Sequence, residues 1–313
     1  MNEVVIQRFT AHVDAGHHVW EWMVPVYLFL GGITAGVMVL SALVGWGRSA
    51  DQGSRWLRWA PLAAPIIISV GMGCLFLDLS NKLRVYRFFL SFQPLSPMSW
   101  GTWVLVGVYP ASLALGLAGL TRTELTTLLE RLSMGTLGGF PERARAWAAA
   151  TVGPLRWANL GLGVVLGVYT GVLLSTLGAR ALWSSALLGP LFLASGLSAG
   201  AAFMMLFPVN HREHSLLLRW DIGAIVVELV LIGLYLVGLS SGGQGARAAA
   251  QLFLGGDFTA PFWALVVFLG LAVPLLMESA ELRRGLRPVA ITSVLVLAGS
   301  LSLRWILVLA GQA

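Results

Sequence analysis

Tyr27, Asp78, Tyr169, Glu228 and Arg304 lie within, or at the ends of, long apolar runs that carry almost no other charge. A charged side chain near the middle of a bilayer costs at least about 2.5 kcal/mol on insertion scales, so each one needs a partner or a task. One account of Asp78, Glu228 and Arg304 is that they pair with one another or with backbone carbonyls and fix packing. The other is chemical: a phenol, a carboxylate and a guanidinium at one depth can hydrogen-bond the oxygens of a lipid-soluble carrier and supply or accept its protons. Glu228, deeper than the others, is a candidate inward proton relay or a packing device.

The histidines and the cysteine narrow the chemistry further. His12, His17, His18, His211 and His214 all fall outside the apolar runs, where they cannot serve as axial ligands of a transmembrane haem. Cys74 is the one cysteine, too few for an internal disulfide, a Cys-x-x-Cys site or an iron–sulfur cluster held by this chain alone. No haem, iron–sulfur cluster or metal is therefore expected here. His17 and His18 stand just before Trp20 and Trp22 and could pass protons to bulk water, although loop histidines often have no such task.

These residues need elements to hold them, and composition says which. Of 313 residues, 57% are apolar and 11% charged, with a mean hydropathy of +0.81. Soluble domains carry about 25% charge, so an ordinary soluble enzyme is excluded. The runs predict eight membrane-spanning helices: Val24–Trp46, Ala60–Leu79, Trp100–Leu120, Leu155–Leu177, Ser184–Phe207, Trp220–Leu239, Pro261–Met277 and Pro288–Ala310. The expected fold is an all-α integral membrane protein with its helices in two four-helix bundles. The first half-bundle comprises residues 1–120 completed by 155–177, and the remainder of 155–313 supplies helices 5–8. Between them, 121–154 is a connector whose alternating charge and Leu/Ala suggest interfacial helix. No basic leader precedes the first run, so that helix is expected to remain in the protein.

Lys and Arg in short loops are retained on the cytoplasmic side. Most of the basic residues, among them Arg55, Arg58, Arg122, Arg143, Arg156, Arg212 and Arg284, fall on the face opposite the termini. Both termini are thus expected in the periplasm, with the protein multi-pass in the inner membrane. The net charge of +6 is mostly topological, and nucleic acid is not expected as a partner. At about 1.5 Å per residue, Tyr27, Asp78, Trp100, Tyr169 and Arg304 share one outer depth band. Gly32/Gly36, Gly163/Gly167/Gly171 and Gly196/Gly200 are spaced for close helix packing.

Against the positive-inside trend, the outer loop from Leu79 to Gly101 places Lys82, Arg84 and Arg87 among Tyr86, Phe88, Phe89 and Trp100. It is a lipid-headgroup shelf or, as Arg and aromatic residues favour, a docking surface for another protein.

Pro25 through Gly36, the Asp78 helix end with Ser96-Pro97-Met98-Ser99-Trp100-Gly101, Tyr169-Thr170-Gly171, Ser195 through Gly200, and Leu303-Arg304-Trp305 through Gln312 together resemble the NrfD/PsrC family of polysulfide reductase-like membrane subunits. The resemblance runs along essentially the whole chain. It implies a metal-free subunit of a respiratory oxidoreductase that binds a quinone, menaquinone or ubiquinone, near the outer face. Its implied partners are membrane lipid, a ferredoxin-like iron–sulfur subunit and a molybdopterin-type catalytic subunit. The family holds its quinone with a histidine of helix 1 and a tyrosine of helix 4. Tyr169 matches the tyrosine. Tyr27 stands where the histidine is expected, so Tyr27 itself, His17 or His18 is left to supply that donor. The chain would carry the quinone half-reaction and not the terminal substrate's chemistry. Two rival classes remain: an ion or solute transporter, and a membrane anchor without a quinone site of its own.

Overall fold

The computed structural model describes residues 20–47, 49, 52–79, 82, 93, 96–131, 139–176, 180–285 and 290–312, with the side chains of 97 and 98 excepted. Among them, eight helices are long and apolar enough to cross a membrane. They are α1 (Met23–Val44), α2 (Arg55–Asp78), α3 (Pro97–Gly119), α6 (Val152–Ser175), α7 (Leu188–Met205), α8 (His211–Ser241), α10 (Thr259–Arg284) and α11 (Ala290–Ala310). Three shorter helices lie between them: α4 (Arg122–Arg131), α5 (Phe140–Ala150) and α9 (Gln244–Leu254). No strand occurs among the described residues. The protein is a multi-pass membrane protein. Its outer surface is apolar, with Ile66, Val70, Leu77, Val230, Val237, Phe268 and Leu276 exposed, while Asp221, Glu228, Glu278 and Arg304 are buried. That inversion suits a polypeptide whose solvent is hydrocarbon.

α1 is the centre of the molecule and packs against α2, α6, α7 and α11. Its approach to α7 requires glycine. A Cβ added at Gly200 would stand 2.5 Å from the Gly36 Cα, and one added at Gly36 would strike the Gly196 carbonyl. The spaced glycines are thus used for backbone-to-backbone contact. α2 and α3 tolerate internal Pro61, Pro65 and Pro110, and the hydroxyls of Ser69 and Ser112 bond the Pro65 and Val108 carbonyls nearby.

Two spans differ from expectation. α8 begins at His211 rather than near Trp220 and runs for 31 residues, about 46 Å, longer than a hydrocarbon core of about 30 Å. Asn210 and Glu213 form a capping box at its start, so the polar stretch before Trp220 is helix. α10 extends to Arg284, and its stretch Phe262–Ala272 winds as a wider π-helix. There Gly270 and Gly299 of α11 are so close that a Cβ at Gly270 would lie 2.5 Å from the Gly299 Cα.

The two ends of the described polypeptide meet. The Trp20 N–H donates to Gln312 Oε1 at 2.8 Å, and Gln312 Nε2 donates to the Trp20 carbonyl at 3.0 Å. The Trp20 ring stacks on Trp183 at 5.0 Å, and Trp183 Nε1 donates to the Leu307 carbonyl at 2.9 Å. We name this side the terminal face. On the opposite face, α4 is tied to α2 by Glu124, which receives Arg58 Nη1 at 2.6 Å and Nη2 at 3.0 Å. Burial alone would raise the Glu124 carboxyl. Hydrogen bonds from the Thr121 backbone and hydroxyl, Arg58 and Trp59 outweigh it and hold the group below the usual carboxylate range.

Candidate functional site

Tyr27 lies in the second turn of α1, about 6 Å from its start, and Tyr169 about 9 Å from the terminal end of α6. Both rings are buried, and the two phenols are close enough to interact electrostatically. Glycine makes the room: Gly71 of α2 abuts the Tyr27 ring, and a Cβ at Gly101 of α3 would collide with the Tyr169 phenol. Four helices therefore close on two phenols. Neither hydroxyl makes a hydrogen bond among the described residues, so both keep their capacity to donate and accept one.

Arg304 is handled differently. It is fully buried, and its donors are spent on the protein: Nε on the Leu28 carbonyl at 3.1 Å, and Nη1 on Ser195 Oγ at 3.0 Å, Ser300 Oγ at 2.6 Å and the Ser300 carbonyl at 2.9 Å. Nη2 donates to the Phe192 carbonyl at 3.4 Å, and the guanidinium lies 5.1 Å from the Phe192 ring. A Cβ at Gly32 would stand 2.5 Å from Nη2, so this glycine provides the guanidinium's seat. The expected grouping of Arg304 with Asp78 does not form. Asp78 closes α2, half-buried, with no hydrogen bond or ion pair among the described residues.

Arg304 instead belongs to a buried polar file that depth along the helices does not reveal. The buried Glu228 carboxyl lies near Ser195 and feels the Arg304 charge. Further along α8, Ser198 Oγ donates to Asp221 Oδ1 at 2.6 Å, and Asp221 and Glu278 of α10 reach one another. Beyond them, His214 Nε2 and Glu281 Oε1 are 2.6 Å apart at the opposite face. His214, Asp221, Glu228 and Tyr235 recur every seven residues, which keeps them on one stripe of a helix with about 20° of drift per step. That period is readable in the sequence. It is obscured because Asp221 and Glu278 fall one residue inside and one residue outside the ends that hydropathy assigns to their helices.

Of the remaining candidates, Lys82 and Trp100 are exposed on the terminal face, and Trp100 is not without a partner. His17, His18, Arg84 and Arg87 lie outside the described residues. No three His, Cys, Asp or Glu side chains come together as a metal site among the described residues.

A family model described as "Polysulphide reductase, NrfD" matches residues 11–313. The C polypeptide of polysulfide reductase from Wolinella succinogenes is 29% identical, the match spanning 94% of the present sequence and 94% of its own length. Protein NrfD of Escherichia coli is 31% identical over 94% of the present sequence and 95% of its own. A putative dimethyl sulfoxide reductase membrane subunit of Halobacterium salinarum is 28% identical over 90% and 66% of the respective lengths.

Proposed function

The protein belongs to the family described as polysulphide reductase, NrfD, and on that premise we propose that it is the quinone-binding membrane subunit of a respiratory reductase complex. It exchanges electrons between the membrane quinone pool and a periplasmic, ferredoxin-like iron–sulfur subunit that serves a molybdopterin-type catalytic subunit. The eight helices work as two four-helix halves in the inner membrane, with the terminal face in the periplasm, as the distribution of arginine favours.

The observation that carries this reading is the pair of unbonded phenols. A quinone head group has two opposed oxygens, and Tyr27 and Tyr169 present two buried hydroxyls with no protein partner among the described residues, from α1 and α6, each ring packed against a glycine of a neighbouring helix. A bound quinone supplies two-electron, two-proton redox chemistry, in either direction. Tyr27 and Tyr169 hold the head group by donating to its oxygens, and their burial keeps bulk water from it. Asp78, at the terminal end of α2, accepts protons on their way to the periplasm, and His17 or His18 passes them to bulk water. Lys82, Arg84, Arg87 and Trp100 form the surface on which the iron–sulfur subunit docks, which keeps its nearest cluster on the quinone's side of the membrane.

The test uses the assembled complex and a water-soluble quinol analogue. Tyr169→Phe removes a hydroxyl that fills no other role in the protein. It should leave the subunits together and slow electron exchange with the analogue by about 10- to 100-fold, the worth of one hydrogen bond to a buried reacting group. Asp78→Asn should slow it as well. Unchanged turnover in both variants removes the site. Arg84→Glu with Arg87→Glu should release the iron–sulfur subunit on purification, and intact co-purification removes the docking surface.

A further inference from the structure

Asp221 is 0% and Glu278 1% exposed, and they face one another across α8 and α10. Asp221 Oδ1 accepts from Ser198, but Asp221 Oδ2 and both Glu278 oxygens have no donor among the described residues. Two carboxylates are acceptors only, and neither could satisfy the other. Two negative charges at this separation, out of water, would also repel strongly. A single proton between them removes both difficulties, because the protonated carboxyl becomes the donor its neighbour lacks.

We propose that Asp221 and Glu278 store one exchangeable proton, loaded from the face opposite the termini through His214 and Glu281 and barred from the phenol site by Arg304. Every charged or titratable group facing the pair fits this assignment. On the loading side, Glu281 lies one turn along α10 from Glu278 and holds His214 at 2.6 Å, with both side chains slightly open to solvent, 12% and 13% exposed. An imidazole can accept a proton at one ring nitrogen and release one at the other, and so can hand protons through Glu281 to the Glu278 carboxylate. On the other side stands Glu228, two turns of α8 from Asp221, with Ser195 and then Arg304 beyond it. The guanidinium donates through all its nitrogens and has no lone pair to accept a proton, so the file of hydroxyls ends there. Its fixed charge also repels an approaching proton, as an arginine does in water-selective pores. The pair thus belongs to a proton compartment separate from that of Tyr27 and Tyr169. The assignment rests on the carboxyl geometry and holds whether or not a quinone binds at the phenols.

Infrared spectroscopy of the purified full-length protein at neutral pH, in H2O and D2O, reads this directly. A protonated-carboxyl stretch that shifts in D2O is expected, and it should vanish in Glu278→Gln, whose amide supplies the donor and makes the proton unnecessary. Asp221→Asn should do the same from the other side. If neither variant folds, dicyclohexylcarbodiimide, which couples to protonated buried carboxyls, should label Asp221 or Glu278 in the wild-type protein. His214→Ala should slow the band's exchange into D2O by roughly tenfold or more, the loss of one proton-transfer group. Absence of both band and adduct overturns the proposal, as does a band that appears only when sodium is withdrawn, since the pair would then be holding a cation. Unchanged exchange in His214→Ala overturns the loading route.

Discussion

Arg304 is a cation with no carboxylate in direct contact among the described residues, held by three backbone carbonyls and two serine hydroxyls, with the Glu228 charge nearby. Such a group is costly to leave half-satisfied. Arg304→Met removes the charge but leaves Glu228 buried beside unpaired hydroxyls, and should cost about 3–5 kcal/mol, read as a lowered thermal midpoint in detergent. Arg304→Lys should not rescue it, because a compact ammonium cannot span the Leu28 and Phe192 carbonyls at once. At Tyr27 the outcome should differ: Tyr27→His replaces one donor with another and should retain quinone-linked turnover, whereas Tyr27→Phe should lose about tenfold or more. The contrast between these residues also marks what the sequence could and could not convey. Counting residues from a helix end gives depth, and Tyr27 and Tyr169, given one depth by that count, are near enough to interact electrostatically. It gives no azimuth, so Asp78 and Arg304, at a similar height, make no contact with one another. Tyr27 packs against Gly71 of α2, whereas Arg304 sits in the seam of α1, α7 and α11.

The α1–α7 crossing is among the tight joints between the helices, and its tolerance is correspondingly small. Gly200→Ala should cost about 1–3 kcal/mol, since the added methyl meets the Gly36 backbone and no flexible side chain can yield; thermal melting of the variant checks it. The α2–α4 joint responds to acid instead. Glu124 sits lower when folded than when unfolded, so the stability it contributes is complete above the ordinary carboxylate range and fades as pH falls through the folded value. Proteolysis within α4 should therefore increase on acidification in the wild-type protein. In Glu124→Gln it should be high throughout and insensitive to pH. Spans of this kind were legible because hydrocarbon demands unbroken apolar runs. The extra turns of α8 were not, because His211 to Arg219 is polar and only its cap, Asn210 with Glu213, betrays helix. α9 escaped notice for the opposite reason: eleven residues rich in alanine are too short to span and too apolar to read as loop.

Taken whole, the molecule is built outward from α1, the first span to be made, and locked by α11, the last. Arg304 rides in α11 and finds its partners on α1 and α7. Alone in a bilayer, α11 would carry that charge uncompensated, at a cost of about 2.5–3.5 kcal/mol. Biogenesis must then be ordered: the earlier helices have to be assembled, with the Gly32 seat open, before the final one is stable in the membrane. In a glycosylation-mapping assay, α11 behind a neutral host segment should insert inefficiently, and the same helix after α1–α10 should insert fully. Arg304→Leu should abolish that difference. A premature stop anywhere before α11 would leave Gly32 and its neighbouring carbonyls facing a gap, a flaw that quality-control proteases could detect in the finished helices.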